Sequence, residues 1–375
     1  MSEKRIREQL EDTFPKPNKA QWQVAAQQEI DGKDPLDVLS WRGPDGLSFS
    51  GYYDKTDLAS LDYLRHFDLA PSTNGYSGAR AWTNLPQVLI TDISAARAKA
   101  LEHLQQGADG ILFSFTNSSS AFTPALLESI DWQYCNVSFF ATPSQLAGLA
   151  DYVRKTYSNQ VLQGIVLLSG DTEDAVSFCT SFPDTSGLCP LGLSVASDDP
   201  VLDIAGALSI GVDHLDAATN QGMAVSRALR SIAFSMEASA DVFATIAKFK
   251  ALRLLWYQVA QAYGCSDYKS SDLVLHARSS PWISEKYQPH GNLLKGTTAA
   301  LSAILGGCSL LTVMPEDDDH SMMQRISRNV SSILREESHL DKVADPLAGS
   351  YAIDTLVHRF AERAWSRFQE ASALR

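Results

Sequence analysis

From about residue 78 the chain repeats one pattern, and that pattern limits the folds open to it. A short apolar or alternating run is followed by a segment whose apolar residues recur at steps of three and four. The strand-like runs are ADGILFSF (108–115), CNVSFFA (135–141), GIVLLS (164–169), PLGLSVAS (190–197), the run opening at Ile232, LVLHARSS (273–280) and SLLTVM (309–314). Lys342–Asp345 reads as the closing strand. Helical periods fall between them, at 93–106, near 124–130, and at 144–156, 173–180, 201–219, 292–305 and 321–336, with a last helix at 351–370. About eight strand–helix units of this kind predict a parallel sheet. Eight repeats favour a closed (β/α)8 TIM barrel over an open sheet. An open nucleotide-binding sheet would carry a glycine-rich turn after its first strand, and FSFTNSSSAF contains no glycine.

The clearest unit is Ser231 to Cys265. Ile232, Phe234 and Met236 alternate as in a strand, and Asp241 stands before a helical series of Val242, Ile246, Phe249, Leu252, Trp256, Val259 and Tyr263. Gly264 ends the series, and Lys248, Lys250, Arg253 and Gln261 are left as its polar remainder.

Residues 1–75 differ from the repeats and predict an N-terminal arm, with the barrel spanning 76–375. A short charged helix over Glu3–Asp12 leads through Phe14–Pro15–Lys16–Pro17 to a helix from Asn18 to Ile30. Beyond it Gly32, Pro35, Gly43, Pro44 and Gly46 punctuate a segment carrying Trp41, Phe49, Tyr52 and Tyr53, with Trp22 on the helix before it. So many aromatics in a turn-rich stretch require a surface to lie on, either this chain's own barrel or another subunit.

The net charge of −13, with no Lys/Arg-dense stretch, argues against a nucleic-acid binder. No apolar run reaches membrane-spanning length, and MSEKRIREQLED lacks a signal core. The five cysteines are scattered, with no CxxC pair, which fits reduced thiols in a cytoplasm better than disulfides or structural zinc. The acidic run EDDDH (316–320) reads as a solvated loop before it reads as a metal site.

Chemistry in a barrel sits at the carboxyl ends of its strands. The polar candidates there are Thr116–Asn117–Ser118, Thr142, Ser169–Asp171, Ser197–Asp199, Glu237, His276, Arg278 and Asp345. No Ser/His/Asp set or metal-type pair stands out among them. His276 and Arg278 alternate along one strand tip, so both can face the mouth as ligand contacts or as structural groups. His214, beside acidic residues on a helix, reads as a surface residue.

Three long stretches carry a family resemblance: IAKFKALRLLW in the Ser231–Cys265 unit, HARSSPWISEKYQPHGNLLKGTTAALSAILGGCSLLT (276–312), and ISRNVSSILREESHLDKVADPLAGSYAIDTL (326–356). The arm, FPKPNKAQWQVAAQQEIDGKDPLDVLSWRGPDGLSFSGYYDKTDL, adds a fourth. Together they resemble the methylmalonyl-CoA mutase family over nearly the whole chain. The family uses adenosylcobalamin to interconvert methylmalonyl-CoA and succinyl-CoA by a radical rearrangement. The acyl-CoA threads the barrel, and a separate C-terminal domain holds the corrinoid.

The departures matter as much as the matches. Catalytic members carry R-P-W-T-x-R-Q-Y-A-G-F. Here RAWTNLPQVLI keeps Arg80, Trp82 and Thr83 but puts Leu85 and Gln87 in the Arg and Tyr places. No histidine stands near Val195–Asp199, where the family has G-Y-H, and Ala233 replaces a substrate-facing Ser. The H-x-Q-T-S-G-W motif keeps His276 and Trp282 and turns its Gln into Arg278. The cobalt-ligating D-x-H-x-x-G is absent before the chain stops at Arg375, so no cobalamin-binding domain is expected in this chain. The resemblance therefore implies the small, non-catalytic subunit of a heterodimeric mutase, paired with a catalytic large subunit and embracing it through the arm. It implies that adenosylcobalamin belongs to the holo-complex and is not bound by this chain, and that no residue here is catalytic. His276, Arg278 and Ser309 would then be remnants of an acyl-CoA surface. Two alternatives stand beside it: a CoA-binding half completed by a separate corrinoid protein, and a stand-alone ligand-binding barrel.

Overall fold

The computed structural model describes residues 18–42, 47–58, 78–115, 120–157, 160–183, 187–197, 199–280 and 291–373. The expected helix at Glu3–Asp12, the tips Thr116–Ser118 and the family's Trp282 lie outside them.

Eight parallel strands form the centre: β1 (Thr83–Asn84 continuing as Gln87–Leu89), β2 (Gly110–Ser114), β3 (Asn136–Ala141), β4 (Gly164–Leu168), β5 (Leu188–Val195), β6 (Ile232–Ala238), β7 (Val274–Ser279) and β8 (Leu310–Thr312). Each pairs with the next in sequence order. The two pieces of β1 close the ring, because Thr83 and Asn84 pair with β8 while Gln87 to Leu89 pair with β2. The gap between them is Leu85–Pro86, and the proline has no N–H to give to a ladder. Its carbonyl and the neighbouring Leu85 amide still span the seam, accepting from Leu112 N at 3.0 Å and donating to Leu311 O at 2.9 Å.

The closing strand is therefore β1, and not Lys342–Asp345. That loop packs at the amino end of β1, where Arg80 N donates to Asp341 O (2.9 Å) and Arg80 Nε to Ala344 O (2.7 Å). A proline at the centre of a strand removes the local signature that would have identified it.

The helices are α1 (Lys19–Glu29) in the arm, then α2 (Ile93–Gln105), α3 (Leu149–Thr156), α4 (Thr172–Thr180), α5 (Pro200–Asn220), α6 (Val225–Ser231), α7 (Val242–Ala262), α8 (Gly291–Gly306), α9 (Ser321–Glu336) and α10 (Tyr351–Ala373). A short 3-10 turn, Pro124–Leu127, stands where a longer helix is expected. Four helices that follow a strand open on an aspartate: Asp92, Asp171, Asp199 and Asp241 each accept a backbone N–H of the first turn. These are N-caps, the role that a short carboxylate fills best after an extended segment.

The long helix α7 is buried nearly all round. Lys248, Lys250 and Arg253, which the periodicity assigns to a polar face, are only 6%, 9% and 3% exposed. The reason is α10, which packs over α5 and α7 and covers what would otherwise be the solvent side. Each cation has partners. Lys248 Nζ meets Asp203 Oδ2 of α5 at 2.7 Å, and Lys250 pairs with Asp345. Arg253 donates to the carbonyls of Ser270, Leu273 and Gly307. The approach of α5 to α7 depends on Gly211, where a Cβ would lie 2.7 Å from the Trp256 ring.

In the arm, Asn18 and Gln21 form a capping box at the start of α1. Trp22 stacks on Tyr52 at 5.4 Å, and Trp41 on Phe49 at 4.8 Å across a two-stranded ladder. Phe49 reaches Phe360 of α10, and Arg359 donates to Ser48 O, so this part of the arm lies on its own barrel.

Candidate functional site

Period-2 alternation decides which side chains enter the barrel. Outward residues such as Phe113, Phe139, Val166, Phe234, Met236 and Leu275 join two large clusters under the helices. Inward residues form a third cluster: Leu85, Leu112, Ile165, Leu167, Cys189, Ala233 and Leu310, with Phe140 and Val274 packed against it. These come from all eight strands, and the first seven are buried. Gly192 leaves room for this filling, because a Cβ there would meet Leu167 Cδ2 at 2.8 Å. The lumen at this level is an apolar plug.

Above the plug sits His276, wholly buried. Thr312 Oγ1 donates to Leu85 O at 2.6 Å, so its lone pair is free to accept from His276 Nε2 at 2.9 Å. That fixes the proton on Nε2 and leaves Nδ1 to accept from Ser235 Oγ at 2.8 Å. Burial, with a lesser contribution from Arg278, pulls the imidazole pKa down to about 3. His276 is thus a neutral strut linking β6, β7, β8 and β1, and both of its ring nitrogens are used.

Arg278 differs. It is half-buried two residues further along β7, in register with Glu237 of β6, and neither side chain has an ion-pair partner among the described residues. Ser194 and Gln87 add polar groups on the same inward face, and Gln87 Oε1 is buried with no partner among the described residues. Ser309 lies at the opposite end, where its Oγ accepts from Leu275 N (3.3 Å) and its carbonyl from Thr83 N (2.9 Å). A molecule threading the barrel would meet Ser309 and Arg278 at its two ends, with the plug between them.

The other predicted tips have local duties. Asp171 and Asp199 are caps, Ser197 turns onto Asp199, and Thr142 N donates to Gln145 Oε1 at 2.9 Å. Asp345 belongs to the amino end, paired with Lys250 and 3.9 Å from Arg80. His214 is buried rather than exposed: its Nδ1 lies 2.8 Å from Ile210 O, and burial lowers its pKa. In the acidic run, burial raises the Asp318 carboxyl, and no metal-type cluster forms among the described residues. The plug is what sequence reasoning missed. Its signal was present in alternate strand positions filled by Leu and Ile, but assigning them inward requires the register.

Comparison with known proteins bears directly on this geometry. The methylmalonyl-CoA mutase family profile matches residues 192–374. The Porphyromonas gingivalis methylmalonyl-CoA mutase small subunit is 28% identical over 96% of this chain and 64% of its own length. The chain is similar to the methylmalonyl-CoA mutase family, by profile over 192–374 and by sequence over nearly its whole length. The Streptomyces virginiae small subunit is 37% identical over 45% of this chain and 28% of its own length, and that of Propionibacterium freudenreichii subsp. shermanii 32% over 46% and 28%. The chain spans less than two thirds of the length of these relatives. Among solved structures, a Xanthomonas albilineans dihydropteroate synthase superposes at a TM-score of 0.42 with 15% identity, over 69% of this chain and 93% of that one, too slight a likeness to bear on function. Against that family's pattern the departures now have places in space. Leu85 and Ala233 belong to the plug, and Gln87 stands at the rim where catalytic members carry a tyrosine.

Proposed function

We propose that this chain serves as a non-catalytic small subunit of an adenosylcobalamin-dependent methylmalonyl-CoA mutase, supporting a catalytic large subunit in the cytoplasm. The observation that carries the reading is the plug. An acyl-CoA cannot pass a lumen filled by Leu85, Leu112, Ile165, Leu167 and Leu310 without unpacking a core. The buried imidazole of His276 is already committed at both nitrogens, so it has no donor to offer a thioester carbonyl. Adenosylcobalamin supplies the radical chemistry in the complex, and no residue of this chain is assigned to hold it. The arm, residues 1–75, is assigned to contact with the partner.

The test is a turnover assay. The isolated chain with adenosylcobalamin should give no succinyl-CoA, and the chain mixed with a catalytic large subunit should give an active complex. A corrinoid-dependent rate from the isolated chain would overturn the reading. A second reading is favoured by Arg278, which has no ion-pair partner among the described residues: a mouth that still takes an acyl-CoA or another anion from solution. Calorimetry with CoA esters separates the two, with no heat of binding expected on the first.

A further inference from the structure

Across the β8–β1 seam, on the outer wall, α2 and α9 enclose a cleft of about 490 Å³ lined by Glu102, Gln106, Ser321, Arg325, Arg328 and Asn329. Its deepest cation is Arg328, 5% exposed. The guanidinium donates to His103 Nδ1 at 3.0 Å and to Gln106 Oε1 at 2.6 Å, and its Nε has no partner among the described residues. No carboxylate among the described residues forms an ion pair with it, and Glu102 acts on it only at longer range. Glu102 is tied instead to Gln106 Nε2 at 3.1 Å. Nor can His103 supply compensating charge. Burial first, then Arg328 and Lys99, pull its pKa down to about 4, so it stays a neutral acceptor.

A buried guanidinium without a counter-ion is costly, and a second arginine beside it adds to the cost. Arg325 is exposed at the rim and forms no ion pair among the described residues. The cleft thus holds two arginine forks against one carboxylate, in a concave space of small-molecule size. Forked guanidinium donors pair bidentately with carboxylate and phosphate alike, and the larger charge and extra oxygens of a phosphate suit two arginines better than a single carboxylate does.

We propose that this cleft binds a small phosphate-bearing anion, held by Arg328 and Arg325, with Asn329 and Ser321 completing its hydrogen bonds. This site is separate from the barrel mouth and stands whether or not the chain pairs with a large subunit. The full chain is titrated at constant ionic strength with inorganic phosphate, glycerol 3-phosphate, acetate and chloride, by calorimetry and by melting temperature. Phosphate should bind and raise the melting temperature, and acetate and chloride should not. Tighter binding of the ester assigns the site to a phosphorylated metabolite, and equal binding assigns it to free phosphate. Arg325→Ala, at an exposed position, should melt as the parent does in chloride yet bind phosphate roughly tenfold more weakly, the loss of about one charge-assisted hydrogen bond. Arg328→Gln should abolish binding. The proposal is overturned if phosphate stabilises no more than acetate, or if Arg325→Ala binds it as tightly as the parent.

Discussion

His276 shows how a residue of catalytic appearance can be spent on structure. Its partners Ser235 and Thr312, and the Leu85 carbonyl that holds Thr312, lie on other strands far from it in sequence, so strand alternation could place the ring in the lumen but could not reveal that it is satisfied there. Arg278, on the same face, was equally legible and remains unpaired among the described residues. The strut has a consequence for pH. In the unfolded chain an imidazole takes up a proton below about pH 6.5, whereas folded His276 does so only near 3. The unfolded state therefore binds the proton first, and stability is full above pH 6.5 and falls as pH drops toward 3. The loss from this residue should be on the order of 3 kcal/mol by pH 4. His103, depressed to about 4, adds in the same direction, so the contribution of His276 must be isolated by substitution. Denaturant midpoints of the parent and His276→Gln at pH 7 and pH 4 should differ in slope, the variant losing less. Parallel slopes would remove His276 from the account.

At the scale of elements, the apolar period of α7 was plain in the sequence, and its burial was not. A period of three and four marks one apolar face, and Lys248, Lys250 and Arg253 fall off that face. Their burial follows from α10, more than a hundred residues later, laid across the polar side. The strand β1 was hidden for the opposite reason, since Pro86 broke a local pattern that ring closure then restored. The Lys248–Asp203 pair offers a measurement. Asp203→Ala leaves an ammonium buried without its carboxylate and should cost about 3–5 kcal/mol. Asp203→Leu combined with Lys248→Met should cost clearly less than either change alone, because no charge is left stranded. A strictly additive double mutant in urea unfolding would show that the pair is not coupled. Trp256 lies in the same seam, edge-on to Phe234 at 5.0 Å and against Gly211. Trp256→Ala should cost about 3–5 kcal/mol, since the packed helices cannot close over so large a void. A scarcely shifted thermal midpoint would mean that the α5–α7 contact is looser than the packing indicates.

At the scale of the whole molecule, the barrel was legible because eight repeats leave little choice of architecture, whereas the arm could be read only as a need for a surface. The described part meets some of that need within the chain: Trp22 on Tyr52, Trp41 on Phe49, and Phe49 against Phe360. It does not meet all of it. Trp41 remains 48% exposed, and with Leu39, Phe243 and Tyr351, all exposed, it lines an apolar groove of about 740 Å³ between the arm and the amino ends of α7 and α10. Aromatic surface of this kind marks a protein contact more often than open solvent. The groove also opens on the arm, which the proposed function assigns to the large subunit. Deleting residues 1–75 should therefore leave a folded barrel, since among the described residues the three clusters draw on the arm only through Leu47 and Phe49. The truncated chain should no longer co-elute with a large subunit in gel filtration. Trp41→Ala is the finer probe. It removes an exposed ring, so the melting temperature of the isolated chain should hardly move while pairing weakens by about 2–4 kcal/mol. If the truncated chain and Trp41→Ala both pair undiminished, the arm serves its own barrel alone and the interface lies on another face.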